Sequence, residues 1–177
     1  MKSKDELISL LSEDIDGFNS YIEANSDTGI DMTELDMSNM VFTNAIFVNV
    51  DLSSSSFADA TLTNVKFDNC DLTSLDFTRS TLAECSFNAS ILNGTDFSYA
   101  TVDYCNFHEA DLAGSVFQEA DLTNSDLSTS YNLNACRFDE ETIWPDNDML
   151  PEEFDGMYAA DLSSLTDEDD ESSNQDY

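Results

Sequence analysis

Residues 47–62 read FVNVDLSSSSFADATL. Phe47, Leu52, Phe57 and Leu62 stand five apart, and two places before the last three come Val50, Ser55 and Ala60. The spacing runs far beyond this stretch. From Met37 to Leu127 every fifth residue is Met, Phe, Leu or Val, nineteen positions in one register. A mostly small residue, such as Ala45, Cys70, Ala100 or Ala120, precedes each by two. The other three places are mainly Asp, Asn, Thr and Ser. A period of five matches neither the 3.6-residue turn of a helix nor the alternation of a strand. It matches a chain that turns a corner every five residues, with one large and one small residue inward on each side and three residues outward.

VDLSS (50–54), CDLTS (70–74), ADLAG (110–114) and ADLTN (120–124) resemble the A(D/N)LXX motif of the pentapeptide-repeat family. The resemblance extends over roughly residues 35–143. It implies an all-β solenoid, a right-handed quadrilateral parallel β-helix with four pentapeptides per coil and about five coils in all. The residues support four sides on their own account. From 47 to 122 the central residue alternates Phe and Leu, with Val102 the one substitution. In a twenty-residue coil, ten-residue spacing puts like residues on opposite sides, giving two Phe and two Leu columns. Cys85 and Cys105, twenty apart, then stack on neighbouring rungs as inward small residues or as a disulfide pair. After Leu127 the register slips, with one residue inserted within 128–132 and Leu133, Phe138 and Ile143 as the next central residues.

The ends divide the chain further. Residues 1–30 read as an N-terminal helical cap: Leu7, Leu11, Ile15, Phe18, Tyr21 and Ile22 form a helical stripe over 3–24, and Ser3-Lys-Asp-Glu6 is a capping box. A partner-binding amphipathic helix is the alternative. Residues 31–143 are the β-helix. Residues 144–160 hold Trp144, Phe154, Met157 and Tyr158 and read as a C-terminal capping segment, or as a contact through which the chain dimerises. Residues 161–177 read as an acidic, solvated tail.

The chain has 38 Asp and Glu against 5 Lys and Arg, a formal net charge of −33. Direct nucleic-acid binding rests on cations that neutralise phosphates and is excluded on this balance, as is docking on anionic membranes. No run of about 18 apolar residues reads as a membrane span, and a soluble, cytoplasmic protein with reduced thiols is expected. Nothing points to catalysis or to a cofactor or metal. His108 follows Phe107 and faces outward without a paired nucleophile. Asp146-Asn-Asp148 begins like a calcium loop, but the glycine and the bidentate glutamate are not in place.

What remains is surface. Asp36, Asp51, Asp71, Asp76, Asp96 and Asp111 each precede a central residue on two adjoining sides and project outward as two acidic columns. The partner these columns suit is a protein. They suit a mimic of DNA directed at a DNA-binding protein; the other reading is a general interaction scaffold whose contact is the cap helix or the C-terminal apolar segment, with the rod as a spacer. The resemblance to gyrase-protecting members of the family makes DNA gyrase the named candidate.

Overall fold

The computed structural model describes residues 1–154. Helix α1 (Lys4–Glu13) begins at Ser3, whose Oγ accepts the Glu6 amide at 3.2 Å while the Glu6 carboxylate accepts the Ser3 amide at 2.8 Å. This is the expected capping box. The stripe over 3–24 is not one helix, because Asp14 interrupts it. The Asp14 amide closes α1 on the Leu10 carbonyl, and its carboxylate accepts the Gly17 amide to open α2 (Ile15–Asn25). A Cβ at Gly17 would collide with the Asp14 carboxylate, so the glycine makes room for that cap. Leu7, Leu11, Phe18 and Ile22 are buried, and the Phe18 ring meets Phe47 edge-on at 5.3 Å, closing one end of the core.

From residue 30 the chain coils with a rise of one rung per twenty residues. Strands β1 (Ile30–Asp31) and β3 (Val50–Asp51) pair in parallel. Strands β2 (Val41–Thr43), β4 (Thr61–Thr63), β5 (Thr81–Ala83) and β6 (Thr101–Asp103) form a four-stranded parallel sheet in which each residue pairs with the one twenty ahead. Single bridges with the same offset join the other sides, as in Asp51↔Asp71 and Lys66↔Ser86. The coil therefore has four sides. We label them A (central residues 52, 72, 92, 112), B (57, 77, 97, 117), C (62, 82, 102, 122) and D (67, 87, 107, 127). Backbone groups pair between rungs: the Leu72 amide donates to the Ile91 carbonyl at 2.8 Å, and the Ile91 amide donates to Cys70 at 3.0 Å.

The corners have their own requirement. From Glu34 to Glu119 every fifth residue, two places after each central one, has φ between 51° and 71°. That left-handed conformation is poor for β-branched side chains. Asn, Ser, Asp, Glu, Gly, Ala, Arg and Tyr fill the corners, and no Val, Ile or Thr does.

Inside, the central residues of sides B and D meet across the axis. Phe47, Phe67, Phe87 and Phe107 stack at centroid spacings of 5.2, 5.2 and 4.8 Å. Phe57, Phe77, Phe97 and Phe117 stack at 5.5, 5.0 and 5.2 Å. The two columns touch edge to face, for example Phe77–Phe87 at 5.9 Å. Both geometries suit the ring quadrupole.

The late register differs from the reading of the sequence. Asp111↔Tyr131 still pairs at an offset of twenty, Val116↔Arg137 at twenty-one and Asp121↔Ile143 at twenty-two. The first extra residue therefore lies after Tyr131, where Asn132 turns left-handed (φ 60°) into a 3-10 turn, Leu133–Ala135. A second lies between Arg137 and Ile143, where no slip was expected. Ile143 is consequently not central: it is exposed, and Trp144 takes the inward place against Phe117 and Phe138.

Candidate interaction surface

The side chain before each central residue projects outward. Side A reads Asp31, Asp51, Asp71, Ile91, Asp111, Tyr131 down its column, and side B reads Asp36, Ser56, Asp76, Asp96, Val116, Arg137. All six aspartates expected to form acidic columns stand in these two. Asp31 is a seventh that the pattern contained but the reading missed. The columns are interrupted: Ser56, Ile91 and Val116 break them, and Arg137 ends one.

Most of these carboxylates also serve the backbone. The Asp36 Oδ1 accepts the Ser38 amide at 3.0 Å, Asp51 that of Ser53 at 3.0 Å, Asp71 that of Thr73 at 3.0 Å, and Asp76 that of Thr78 at 2.8 Å. Asp96 and Asp111 do the same with Ser98 at 2.8 Å and Ala113 at 3.2 Å. A carboxylate bonded to the amide two residues on is an Asx turn, and it holds the corner. One oxygen of each group is thus committed to the fold and the other is left for a partner, except at Asp76, whose Oδ2 also accepts the Ser56 hydroxyl at 3.5 Å. The Ser38 hydrogen bonds hold the Asp36 carboxyl below its ordinary range. Asp59, at the corner between B and C, is held low by a two-pronged ion pair with Arg79, at 2.8 and 2.9 Å.

Side C differs. Its outward column is Val41, Thr61, Thr81, Thr101, Asp121, Ile143, uncharged over its first four rungs. Over those four rungs the column carries hydroxyls and methyls where A and B carry mostly carboxylates, and the acids of side C, Asp103 and Asp121, come at its later rungs.

The remaining candidates are placed as follows. Trp144 is half-buried in the end of the stack, 5.0 Å from Phe138, and Phe154 packs on it at 4.9 Å. The two close the last coil together. Met157, Tyr158 and the segment 161–177 lie outside the described residues. His108 is exposed, its Nδ1 hydrogen-bonded to Thr129 Oγ1 at 2.7 Å. All four cysteines are buried free thiols, Cys85 and Cys105 included. Burial pushes the Cys70 and Cys136 thiols up to about 12. The adjacent Cys85 sulfur, then burial, raises Cys105.

Among the described residues no three His, Cys, Asp or Glu side chains gather as a metal site, and no helix is long and apolar enough to cross a membrane. Two open depressions lie at the ends of the rod. One is beside Asp27 and Asp51, with a volume of about 320 Å³; the other is beside Leu133 and Phe154, at about 420 Å³. Neither is lined by a His, Cys or Lys.

A family model described as the pentapeptide repeat region matches residues 28–97 and 60–143. No curated protein sequence matches the chain. Among solved structures, the pentapeptide repeat protein Rfr23 from the cyanobacterium Cyanothece 51142 is similar at 18% identity, covering 71% of this chain and 97% of its own, with a TM-score of 0.62. The pentapeptide repeat protein alr5209 of Nostoc PCC 7120 aligns at 28% identity over 62% of this chain and 80% of its own, with a TM-score of 0.32. QnrB1, a plasmid-mediated fluoroquinolone resistance protein, aligns at 14% over 67% of this chain and 91% of its own, with a TM-score of 0.31. The repeat model spans more than half of the sequence and the coil geometry agrees with it: the chain belongs to the pentapeptide repeat family and folds as a right-handed quadrilateral β-helix.

Proposed function

We propose that the protein acts without catalysis, as a rigid interaction module that presents the carboxylates of sides A and B to a basic surface of a partner protein. One observation carries this reading: Asp51, Asp71, Asp76, Asp96 and Asp111 stand at fixed rung positions on two adjoining sides. A column fixed in this way spares the partner the ordering entropy of a flexible acidic chain, and its field speeds encounter. The Asx turns support the reading further, because they fix each carboxylate before a partner arrives. The C-terminal plug around Trp144 and Phe154 is the other contact such a module offers. The test is capture of partners from the host lysate at low and high salt. Wild type is compared with a variant carrying Asn at 51, 71, 76 and 96. The account expects a salt-eluted partner that the variant fails to hold.

A second reading is mimicry of the DNA backbone toward a DNA-binding protein such as DNA gyrase. It is favoured by the spacing of the columns: carboxylates recur at about 4.8 Å per rung where phosphates recur at about 3.4 Å along one DNA strand. The breaks at Ser56, Ile91 and Val116 thin that array. A gyrase supercoiling assay with and without a quinolone tests it, and inhibition or protection that survives removal of 161–177 would support it.

A further inference from the structure

We propose that Cys85 and Cys105 are an oxidisable dithiol: a small hydroperoxide converts the pair, reduced in this structure, into a disulfide that staples two neighbouring rungs of side D. The coil itself places the pair. Each cysteine is the inward residue two places before a central phenylalanine, Phe87 or Phe107. Ala83 pairs with Asp103 on one flank and Ser86 with Asn106 on the other, so the two cysteines are register partners. The Asn106 amide donates to the Cys85 carbonyl at 3.0 Å, which holds the rungs together at the pair. Adjacent rungs lie about 4.8 Å apart, inside the Cα separation of about 4.4–6.8 Å that a disulfide spans. The side chains also point the same way. Sγ of Cys85 lies 3.5 Å from the Ala83 carbonyl oxygen, and Sγ of Cys105 lies 3.5 Å from that of Asp103.

Other inward polar residues show what these two thiols do not do. Thr95, Ser115 and Ser125 donate to a carbonyl of the preceding coil at 2.8, 2.7 and 2.7 Å. Cys136 makes the same bond to Leu112 at 3.2 Å, and Cys70 makes it to Phe47. At Cys85 and Cys105 the equivalent contact is stretched to 3.7 and 3.8 Å. Losing the thiol protons therefore costs the backbone little at the pair. Cys70, on side A, and Cys136, on side B, each stand alone and serve the backbone instead.

The Cys105 thiol beside it lowers Cys85, which makes Cys85 the sulfur that ionises first and attacks. Its thiolate bonds to one peroxide oxygen, the O–O bond breaks, and the other oxygen leaves as water. The Cys105 sulfur then displaces the oxygen of the resulting sulfenic acid as a second water. Two electrons pass from the two sulfurs to the peroxide, and the two thiol protons end in the waters. Each cysteine is only 2% exposed, so the oxidant has to be small. The new bond closes one full coil, residues 85–105, and so constrains the unfolded chain.

Counting thiols on the full chain tests the proposal, by alkylation after denaturation and mass spectrometry, before and after the folded protein meets hydrogen peroxide. Of the four cysteines, all should alkylate before treatment, two after it, and all again after dithiothreitol. Cleavage at Asp96 and Asp103, which lie between the pair, should leave the Cys85 and Cys105 peptides joined. The oxidised protein should unfold at a higher denaturant midpoint. Cys105→Ser should abolish both the link and that shift, and Cys70→Ser should keep both. A count that stays at four overturns the proposal. So does a link that takes in Cys70 or Cys136 or joins two chains, and so does a link that leaves the midpoint where it was.

Discussion

The Asn19 side chain sits against the Ile46 backbone as a peptide group of a preceding rung would. Its Oδ1 accepts the Ile46 amide at 2.9 Å, and its Nδ2 donates to the Asn44 carbonyl at 2.8 Å. The first coil of a β-helix presents unpaired ladder groups, a ready template for aggregation. A side-chain amide carries the same donor and acceptor as the backbone and closes that edge. Asn19→Ala should lower stability by about 1–2 kcal/mol, read as a fall in denaturant midpoint at unchanged slope. Asn19→Asp, which keeps the acceptor and loses the donor, should fall between.

The Asx turns separate charge from structure at the acidic columns. Asp76→Ala loses the 2.8 Å bond to the Thr78 amide and should cost about 1 kcal/mol. Asp76→Asn retains an acceptor oxygen in the same place and removes a charge stacked on Asp96. It should be neutral or slightly stabilising. Thermal melts of the two variants decide this, and equal destabilisation by both would contradict the turn's role.

Phe87 lies at the middle of the core, stacked on Phe67 at 5.2 Å and Phe107 at 4.8 Å, with edges to Phe77 and Phe97. Phe87→Ala should cost about 3–5 kcal/mol, because close-packed rings on rigid rungs collapse little into a cavity. Phe87→Leu should cost less, about 1.5 kcal/mol. Denaturant unfolding measures both.

Lys4 ties the cap to the first coil by reaching Asp31 at 2.9 Å and the Thr33 carbonyl at 2.7 Å. Its hydrogen bond, with those from Thr33, lowers the Asp31 carboxyl to about 2. The folded value lies below the ordinary one of about 3.9. The contribution of Asp31 is therefore fully present above about pH 4 and is lost as pH falls through about 2. Lys4→Met should destabilise the protein clearly at pH 6 and much less near pH 2, as equilibrium unfolding at the two values would show. The pair is largely solvent-exposed, so the effect is modest.

The coil was legible from the five-residue period because each inward residue is apolar and each rung repeats the last. The Phe and Leu columns followed directly from the alternation. The left-handed corners left a signal as well, the lack of β-branched residues at 34, 39, 44 and onward, but it is a signal of avoidance that three polar positions conceal. Ile143 was misplaced because two single-residue insertions, not one, follow Tyr131. An isoleucine and a tryptophan side by side satisfy an apolar period equally well, and only the shape of the closing stack assigns Trp144 inward. The outward places of six aspartates were legible, and Asp31 was missed. Their second role at the corners was not, because an Asp that caps a turn and an Asp that meets a partner are the same letter.

The central claim is that the fixed carboxylates of sides A and B hold the partner. Its most direct measurement is the affinity of the isolated partner for three chains across a salt series: wild type, the chain without 161–177, and the variant with Asn at 51, 71, 76 and 96. The account predicts that wild type and the shortened chain bind alike with a steep salt dependence, and that the Asn variant, equally stable, binds at least tenfold more weakly. Unchanged affinity in the Asn variant, or loss of binding with the 161–177 segment, would contradict it.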